Sequence, residues 1–301
     1  MMLDKGYPLE KSPLFSMLGR GQLERAINLS WDESARLLKA RYYRVWTTAK
    51  KREVQQPLYE LDKVHKRIAN LLSRIEMPEY VFSKRGRSYI NNAEVHSGVG
   101  PLVKTDLNKF YPSTTWAMVY RMFLERFKCA EDISARLADI CCFQQSHLPT
   151  GSSLSGYVAF FAAQPMFDRI FEIFKNQGCT MTLFVDDLTA SGVGATPRLL
   201  LQARSEIRNF GFKTRDKKSK SYEASQVKQV TGVILAGQDI RVPNKQYLKV
   251  WQARAGLSKV PASQRPRALK SLDGRLKQID QILNAAERKT ELEKSDSPVN
   301  F

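Results

Sequence analysis

Phe184-Val185-Asp186-Asp187 lies between the apolar runs Met181-Thr182-Leu183 and Leu188-Thr189-Ala190-Ser191, which puts two adjacent carboxylates at the tip of what reads as a β-hairpin. Apolar strands would hold both acids still while leaving them open to solvent. Side chains alternate faces along a strand, so neighbouring acids at a strand end seldom share one structural task. They suit a divalent metal bound beside a substrate phosphate. The pattern points to nucleotidyl transfer, or, read minimally, to an Asp-Asp turn between ordinary strands.

A third acid bears on that choice. The run Leu102-Val103-Lys104-Thr105-Asp106-Leu107 ends an apolar strand at Asp106 and continues as Asn108-Lys109-Phe110-Tyr111-Pro112-Ser113-Thr114. Two Mg²⁺ ions about 3.5–4 Å apart stabilise the attacking and leaving oxygens of an in-line phosphoryl displacement. Asp106, Asp186 and Asp187 with the main-chain carbonyl of Leu107 are the expected ligands, and Mn²⁺ is the expected substitute ion. Taken alone, Asp106 reads as a helix cap after a strand.

Bulk properties limit the partner. The 301 residues are 43% hydrophobic, enough for a sizeable core in one multi-lobed unit or two small domains. A net charge of +18, from 48 basic against 30 acidic residues, calls for a polyanion, and nucleic acid is the first choice. No segment approaches a spanning length of apolar residues, and the N-terminus lacks a signal-peptide core. A soluble, cytoplasmic protein without membrane attachment is expected. Cys129, Cys141, Cys142 and Cys179 have no C-x-x-C spacing, which argues against zinc and against a disulfide framework.

Changes of hydrophobic period divide the chain. Residues 1–45 read as helical, with capping-box spacing at Ser30-Trp31-Asp32-Glu33. Residues 46–101 are basic, with strand-like pieces near Lys50-Lys51-Arg52-Glu53-Val54 and a helix from Leu58 to Arg74. Residues 102–242 carry the main strand signals, including Val230 to Leu235, with helices between them, so the fold class is α+β. In 243–290, Leu269, Leu272, Leu276, Ile279 and Leu283 mark one face of an amphipathic helix. Arg265, Arg267, Lys270, Arg275 and Lys277 accompany that helix, either as a solvated face or as a grip on nucleic acid. Residues 291–301 read as a tail.

Together these elements resemble reverse transcriptases. The D-x4-[FY]-P-S element at Asp106 is similar to the first palm motif of that family, and Phe184-Val185-Asp186-Asp187 stands where Tyr-Ala-Asp-Asp is usual. Leu148-Pro149-Thr150-Gly151-Ser152-Ser153-Leu154-Ser155 resembles the L-P-Q-G-x-x-x-S loop that packs on nucleotide and template, with Thr150 in place of Gln. Gly151 still permits close backbone approach. Gly211-Phe212 with Lys218-Ser219 is similar to the element whose lysine lies near the triphosphate, and Lys217 and Lys220 flank it. Arg52-Glu53-Val54-Gln55-Gln56-Pro57 with Leu61 resembles the fingers element whose arginine grips the triphosphate. Lys50 and Lys51 are expected to assist.

Asn92-Ala93-Glu94-Val95-His96 and Val230-Thr231-Gly232 match the N-A-x-x-H and V-T-G elements of retron reverse transcriptases. The resemblance implies a right-hand polymerase with fingers (46–101 and part of 115–165), palm (102–242) and helical thumb (243–290). It implies deoxynucleoside triphosphates as substrates, and Tyr111 under the sugar, excluding a ribose 2′-hydroxyl. It also implies a structured noncoding RNA as template and, through a guanosine 2′-hydroxyl, as primer, yielding branched multicopy single-stranded DNA. Asn92, His96, Val230, Thr231 and Gly232, with the thumb, are the expected RNA contacts. A role in defence against phage, beside an effector protein, is implied as well. Group II intron, CRISPR-associated and abortive-infection reverse transcriptases are the alternatives, and no maturase or endonuclease extension is expected after the thumb. Outside that class, the alternatives are a non-catalytic RNA-binding scaffold and an RNA polymerase palm, which predicts a small polar residue at 111.

Overall fold

The computed structural model describes residues 6–49, 51–98 and 100–295. Short helices come first, α1 (Arg20–Ile27) and α2 (Trp31–Arg36). The predicted capping box opens α2: Ser30 Oγ accepts from the Glu33 amide, and the Glu33 carboxylate accepts from the Ser30 amide at 3.0 Å. An antiparallel hairpin of β1 (Tyr43–Thr47) and β2 (Glu53–Pro57) follows, then α3 (Tyr59–Ser73), within one residue of the expected Leu58–Arg74 span at either end, and α4 (Tyr89–Glu94).

The centre of the chain alternates strand and helix. It runs β3 (Leu102–Asp106), α5 (Phe110–Ser113), α6 (Trp116–Arg121), α7 (Glu131–Cys141), α8 (Ser155–Lys175), β4 (Thr180–Phe184), β5 (Asp187–Ser191), α9 (Pro197–Asn209) and β6 (Lys220–Tyr222). The four strands form an antiparallel sheet in the order β4-β5-β3-β6. A smaller antiparallel sheet follows, β7 (Lys228–Val230), β8 (Val233–Ala236) and β9 (Asp239–Arg241), then α10 (Asn244–Gly256) and α11 (Arg265–Ser295). The chain is α+β, as its pattern predicts.

The strand period of two assigns neighbouring residues to different cores. Val103 packs in the large core with Leu183, Leu188 and the α8 rings Phe161, Phe167 and Phe174. Leu102, one residue away, packs in a smaller core with Ile90, Val230, Leu235, Ile279 and Ile282. Each fully buried ring contributes about 1.5–3 kcal/mol relative to exposure, so α8 anchors the sheet. The second core ties the sheet to the C-terminal helices.

Three expectations change. Val230 to Leu235 is not one strand: Thr231 (φ +43°) and Gly232 (φ +88°) form a two-residue turn between β7 and β8. Positive φ at both central positions is the turn geometry that right-twisted hairpins favour. On α11, Leu272 and Ile279 are buried as expected, but Leu269 and Leu283 are 52% and 41% exposed. Ile282 and Ala285 take their place in the core, because α11 packs on α10 and β9 with a face rotated from the one the leucines mark. The helix also runs past residue 290 to Ser295. The four cysteines are unpaired and buried. No helix among the described residues is long and apolar enough to cross a membrane.

Candidate active site

Strand register brings the three acids together. Asp106 ends β3 directly opposite Asp187, the first residue of β5, and Asp187 also pairs with Phe184 at the end of β4. Val185 and Asp186 form the turn. The Leu107 amide donates to the Asp186 carbonyl at 2.9 Å, which fixes the turn against the end of β3. Leu107 itself is buried.

Asp106 is only 3% exposed, yet it is the most strongly contacted of the three. Its Oδ2 accepts from Lys218 Nζ at 2.5 Å, and Arg215 Nε stands 3.2 Å from Oδ1. The Arg215 approach lacks hydrogen-bond geometry, so Oδ1 is buried with attraction but no donor. Burial raises the Asp187 carboxyl to about 6; the Asp106 and Asp186 charges push the same way, and Lys104 and Lys218 oppose them. Asp186 is also raised, by burial first and by Asp106 next. These acids crowd one another.

That donor set fits a hard divalent cation. Three carboxylates on adjoining strand ends, two with raised pKa and one with an orphaned oxygen, favour a positive charge bound by oxygen. As the side chains are placed, no group of three His, Cys, Asp or Glu among the described residues is arranged to hold a metal ion. Lys218 and Arg215 lie on Asp106 instead, supplying cationic charge at its oxygens. Among the three flanking lysines, it is Lys218 that reaches the acid.

Around this centre the other expected residues fall as follows. Tyr111 on α5 is half-buried, with its hydroxyl 3.5 Å from where a Cβ on Gly156 would stand. Burial raises its pKa; the Asp186 charge adds to the rise and the Arg52 charge opposes it. Arg52 and Lys51 are exposed at the start of β2, where Thr48 Oγ1 accepts from the Arg52 amide at 3.1 Å. Lys50 lies outside the described residues. Thr150 and Gly151 abut β2: the Gly151 amide donates to the Gln55 carbonyl at 3.0 Å. Nothing in the structure explains Phe184 where tyrosine is usual.

The expected RNA contacts divide. Asn92 is 0% and His96 3% exposed, and Val230 is buried, so these three side chains are not available to RNA. His96 on the residues after α4 bonds Ser191 Oγ through Nδ1 and Thr182 Oγ1 through Nε2, both at 2.7 Å. Burial holds its pKa near 3, so the ring is neutral. Thr231 Oγ1 donates to the Tyr89 carbonyl at 2.6 Å and accepts from Asn92 Nδ2 at 3.5 Å. The two signatures join each other and the back of the acid-bearing hairpin. Thr231 and Gly232 are partly exposed. On α11, Arg265, Arg267, Lys270 and Lys277 are exposed and Arg275 is half-buried. Helical spacing puts Arg267, Lys270 and Lys277 on one face.

Lys104, Arg215 and Gln55 are additional residues of the site. Lys104 is legible, since it lies two positions before Asp106 and therefore on the same strand face. Arg215 and Gln55 depend on loop contacts that no local pattern signals.

Similarity to known proteins extends beyond the motifs. The chain is 27% identical to the retron Se72 reverse transcriptase of Salmonella heidelberg, over 59% of this chain and 47% of that protein. It is 26% identical to the retron Ec86 reverse transcriptase of Escherichia coli, over 69% of this chain and 68% of that protein. It is 26% identical to the retron Mx162 reverse transcriptase of Myxococcus xanthus, over 68% of this chain and 50% of that protein. The match therefore spans about half the length of two of these relatives. Among solved structures, apo telomerase from Candida tropicalis truncated from its C-terminal domain aligns with a TM-score of 0.46 at 11% identity. That alignment covers 67% of this chain and 54% of that one. No family model matches. The resemblance to retron-type reverse transcriptases is carried by most of the chain.

Proposed function

We propose that this chain is an RNA-directed DNA polymerase of the retron type. It uses a structured noncoding RNA as template and the 2′-hydroxyl of one guanosine in that RNA as primer. Its product is branched, RNA-linked multicopy single-stranded DNA. The observation that carries the reading is the meeting of Asp106, Asp186 and Asp187 at adjoining strand ends beside Tyr111. Similarity to the retron relatives supports the choice of template.

Asp106, Asp186 and Asp187 with the Leu107 carbonyl would hold two Mg²⁺, or Mn²⁺, which neutralise charge on the attacking and leaving oxygens. The protein supplies position rather than a nucleophile. Arg52 and Lys51 grip the phosphates of the incoming deoxynucleotide, and Gly151 lets the loop backbone come close. Lys218 pairs with the Asp106 carboxylate and, on leaving it, is free for the triphosphate. Tyr111 closes the space under the sugar, so Tyr111→Ala should incorporate ribonucleotides about as readily as deoxynucleotides. Primer extension with each nucleotide class measures this; unchanged discrimination would remove Tyr111 from the gate.

The fingers are then residues 46–101 with part of 115–165, the palm 102–242 and the thumb 243–290. The exposed face of Arg267, Lys270 and Lys277 lies along the duplex backbone, where each phosphate contact gives affinity that falls with salt. The setting is the cytoplasm, with an effector protein as partner in defence against phage. The test is to express the chain with its flanking genomic DNA and recover bound nucleic acid. DNA joined to RNA by a link that a debranching enzyme cleaves is expected; linear DNA alone, or none, would contradict the self-priming reading.

A further inference from the structure

Gln55 looks unremarkable in the sequence, a glutamine in a basic strand. In the structure it is 2% exposed and at the centre of a joint. Its Oε1 accepts from the Thr150 amide at 3.0 Å, its Nε2 donates to Glu53 Oε1 at 2.7 Å, and its carbonyl accepts from the Gly151 amide at 3.0 Å. Thr150 Oγ1 stands 2.9 Å from the Glu53 carbonyl and 3.0 Å from Gln55 Oε1, and its single proton serves one of them. The contact is tight. A Cβ on Gly151 would lie 2.7 Å from the Gln55 carbonyl and 3.0 Å from Val54 Cγ1, so only glycine lets loop and strand meet.

A second anchor holds the same loop from α3. His65 Nε2 lies 2.8 Å from the Ile140 carbonyl, which can only accept, so Nε2 carries the proton and Nδ1 accepts from Ser152 Oγ at 2.7 Å. The loop is thus fixed at Thr150, Gly151 and Ser152. Position 150 points at the Gln55 amide, so a glutamine there would have to put its own amide where that of Gln55 already lies. Threonine at 150 and glutamine at 55 answer one another.

We infer that Gln55 is a positioning residue for the incoming nucleotide, supplying from β2 the side-chain amide that a glutamine at 150 would otherwise bring to this loop. The inference rests on the proposed polymerase reading. Arg52 lies three residues before Gln55, and its amide is held by Thr48 Oγ1 at 3.1 Å. Gln55 therefore keeps the arginine expected on the triphosphate and the loop expected on the base at one fixed separation.

Single-nucleotide incorporation on a preformed primer–template, with KM for dNTP and kcat measured separately, tests this. Gln55→Ala should raise KM about tenfold, the effect of losing buried hydrogen bonds, with kcat within about twofold. Thr150→Gln alone should also raise KM, because two amides compete for one place. Gln55→Ala/Thr150→Gln together should return KM to within about threefold of wild type, since a single amide is again present. Should Gln55→Ala fail to fold, Gln55→Glu puts a second carboxylate beside Glu53; KM should rise and recover with Glu53→Gln. Unchanged KM, a loss confined to kcat, or additive penalties without rescue would overturn the role of Gln55. Wild-type protein inactive with every metal and primer would instead overturn the polymerase reading itself.

Discussion

Of the three hairpins among the described residues that close with two-residue turns, two put a β-branched residue in the left-handed region: Val185 at φ +61° between β4 and β5, and Thr231 at φ +43° between β7 and β8. Such residues are rare there, and each costs about 1–3 kcal/mol. The first turn leaves Asp186 and Asp187 half-buried, with raised pKa and crowded by like charge. The second bonds Thr231 to Tyr89 and Asn92 and is followed by Gly232, which accepts φ +88° at no steric cost. Similar backbone strain leaves crowded carboxylates in one place and a fastened turn in the other. What separates them is whether the side chains at the turn are satisfied.

Substitutions that separate the two turns test the contrast. Asp187→Asn should lower dNTP incorporation by about 10²–10³-fold or more, as loss of a preorganised electrostatic group does. Its unfolding midpoint should be no lower than wild type, because an amide removes a carboxylate that burial disfavours. His96→Ala should do the reverse. It leaves the Thr182 and Ser191 hydroxyls without the ring they bond and opens a cavity, costing about 2–4 kcal/mol by denaturant unfolding. Incorporation per folded molecule should change far less than for Asp187→Asn. Equal activity losses in the two variants would erase the distinction.

The pH dependence has opposite signs in the two regions. Burial lowers His96 to about 3 and His65 to about 4, against an unfolded value of about 6.5. The unfolded chain therefore binds more protons below pH about 6.5, and each histidine removes about 1.4 kcal/mol per pH unit as pH falls, down to its folded value. Asp187 works the other way: raised to about 6, it takes up a proton in the folded state first and adds stability as pH falls from about 6 towards 4. Asp186 is raised as well, but the two histidines already act from pH about 6.5 downwards and Asp187 only from about 6, so stability should fall on acidification. His96→Gln should flatten that fall, and Asp187→Asn should steepen it. Chemical unfolding from pH 7.5 to 5 measures both slopes.

How much of this was legible depends on range. The acid hairpin, the strand ending at Asp106 and the Ser30 cap follow from alternation and spacing within a dozen residues. Val230 to Leu235 looked like one strand because valine, isoleucine and threonine favour strands, and a turn is visible only if Gly232 is weighted above its neighbours. Asn92 and His96 are expected at the RNA only through the resemblance to the N-A-x-x-H element, which says nothing of burial. Their partners, Ser191, Thr182 and Thr231, are about 86 to 139 residues away in sequence, beyond any local pattern. The burial of Gln55 has the same cause, since Thr150 covers it from 95 residues away.

Smaller effects refine the contrast between turns. Thr231→Val keeps the branched shape but leaves the Tyr89 carbonyl without its donor, a loss of about 1–2 kcal/mol in unfolding free energy. Val185→Gly relieves the left-handed strain and should stabilise by about 0.5–1 kcal/mol, whereas Gly232→Ala should destabilise by about 1 kcal/mol. Thermal unfolding of the three variants gives their signs directly.

The most direct test is incorporation of deoxynucleotides on an RNA template with and without Mg²⁺, by wild type and by Asp106→Asn, Asp186→Asn and Asp187→Asn. Metal-dependent DNA synthesis by the wild type, lost in all three variants while each stays folded, is the result this account predicts. Synthesis that survives the loss of these carboxylates, or that proceeds without a divalent ion, would contradict it.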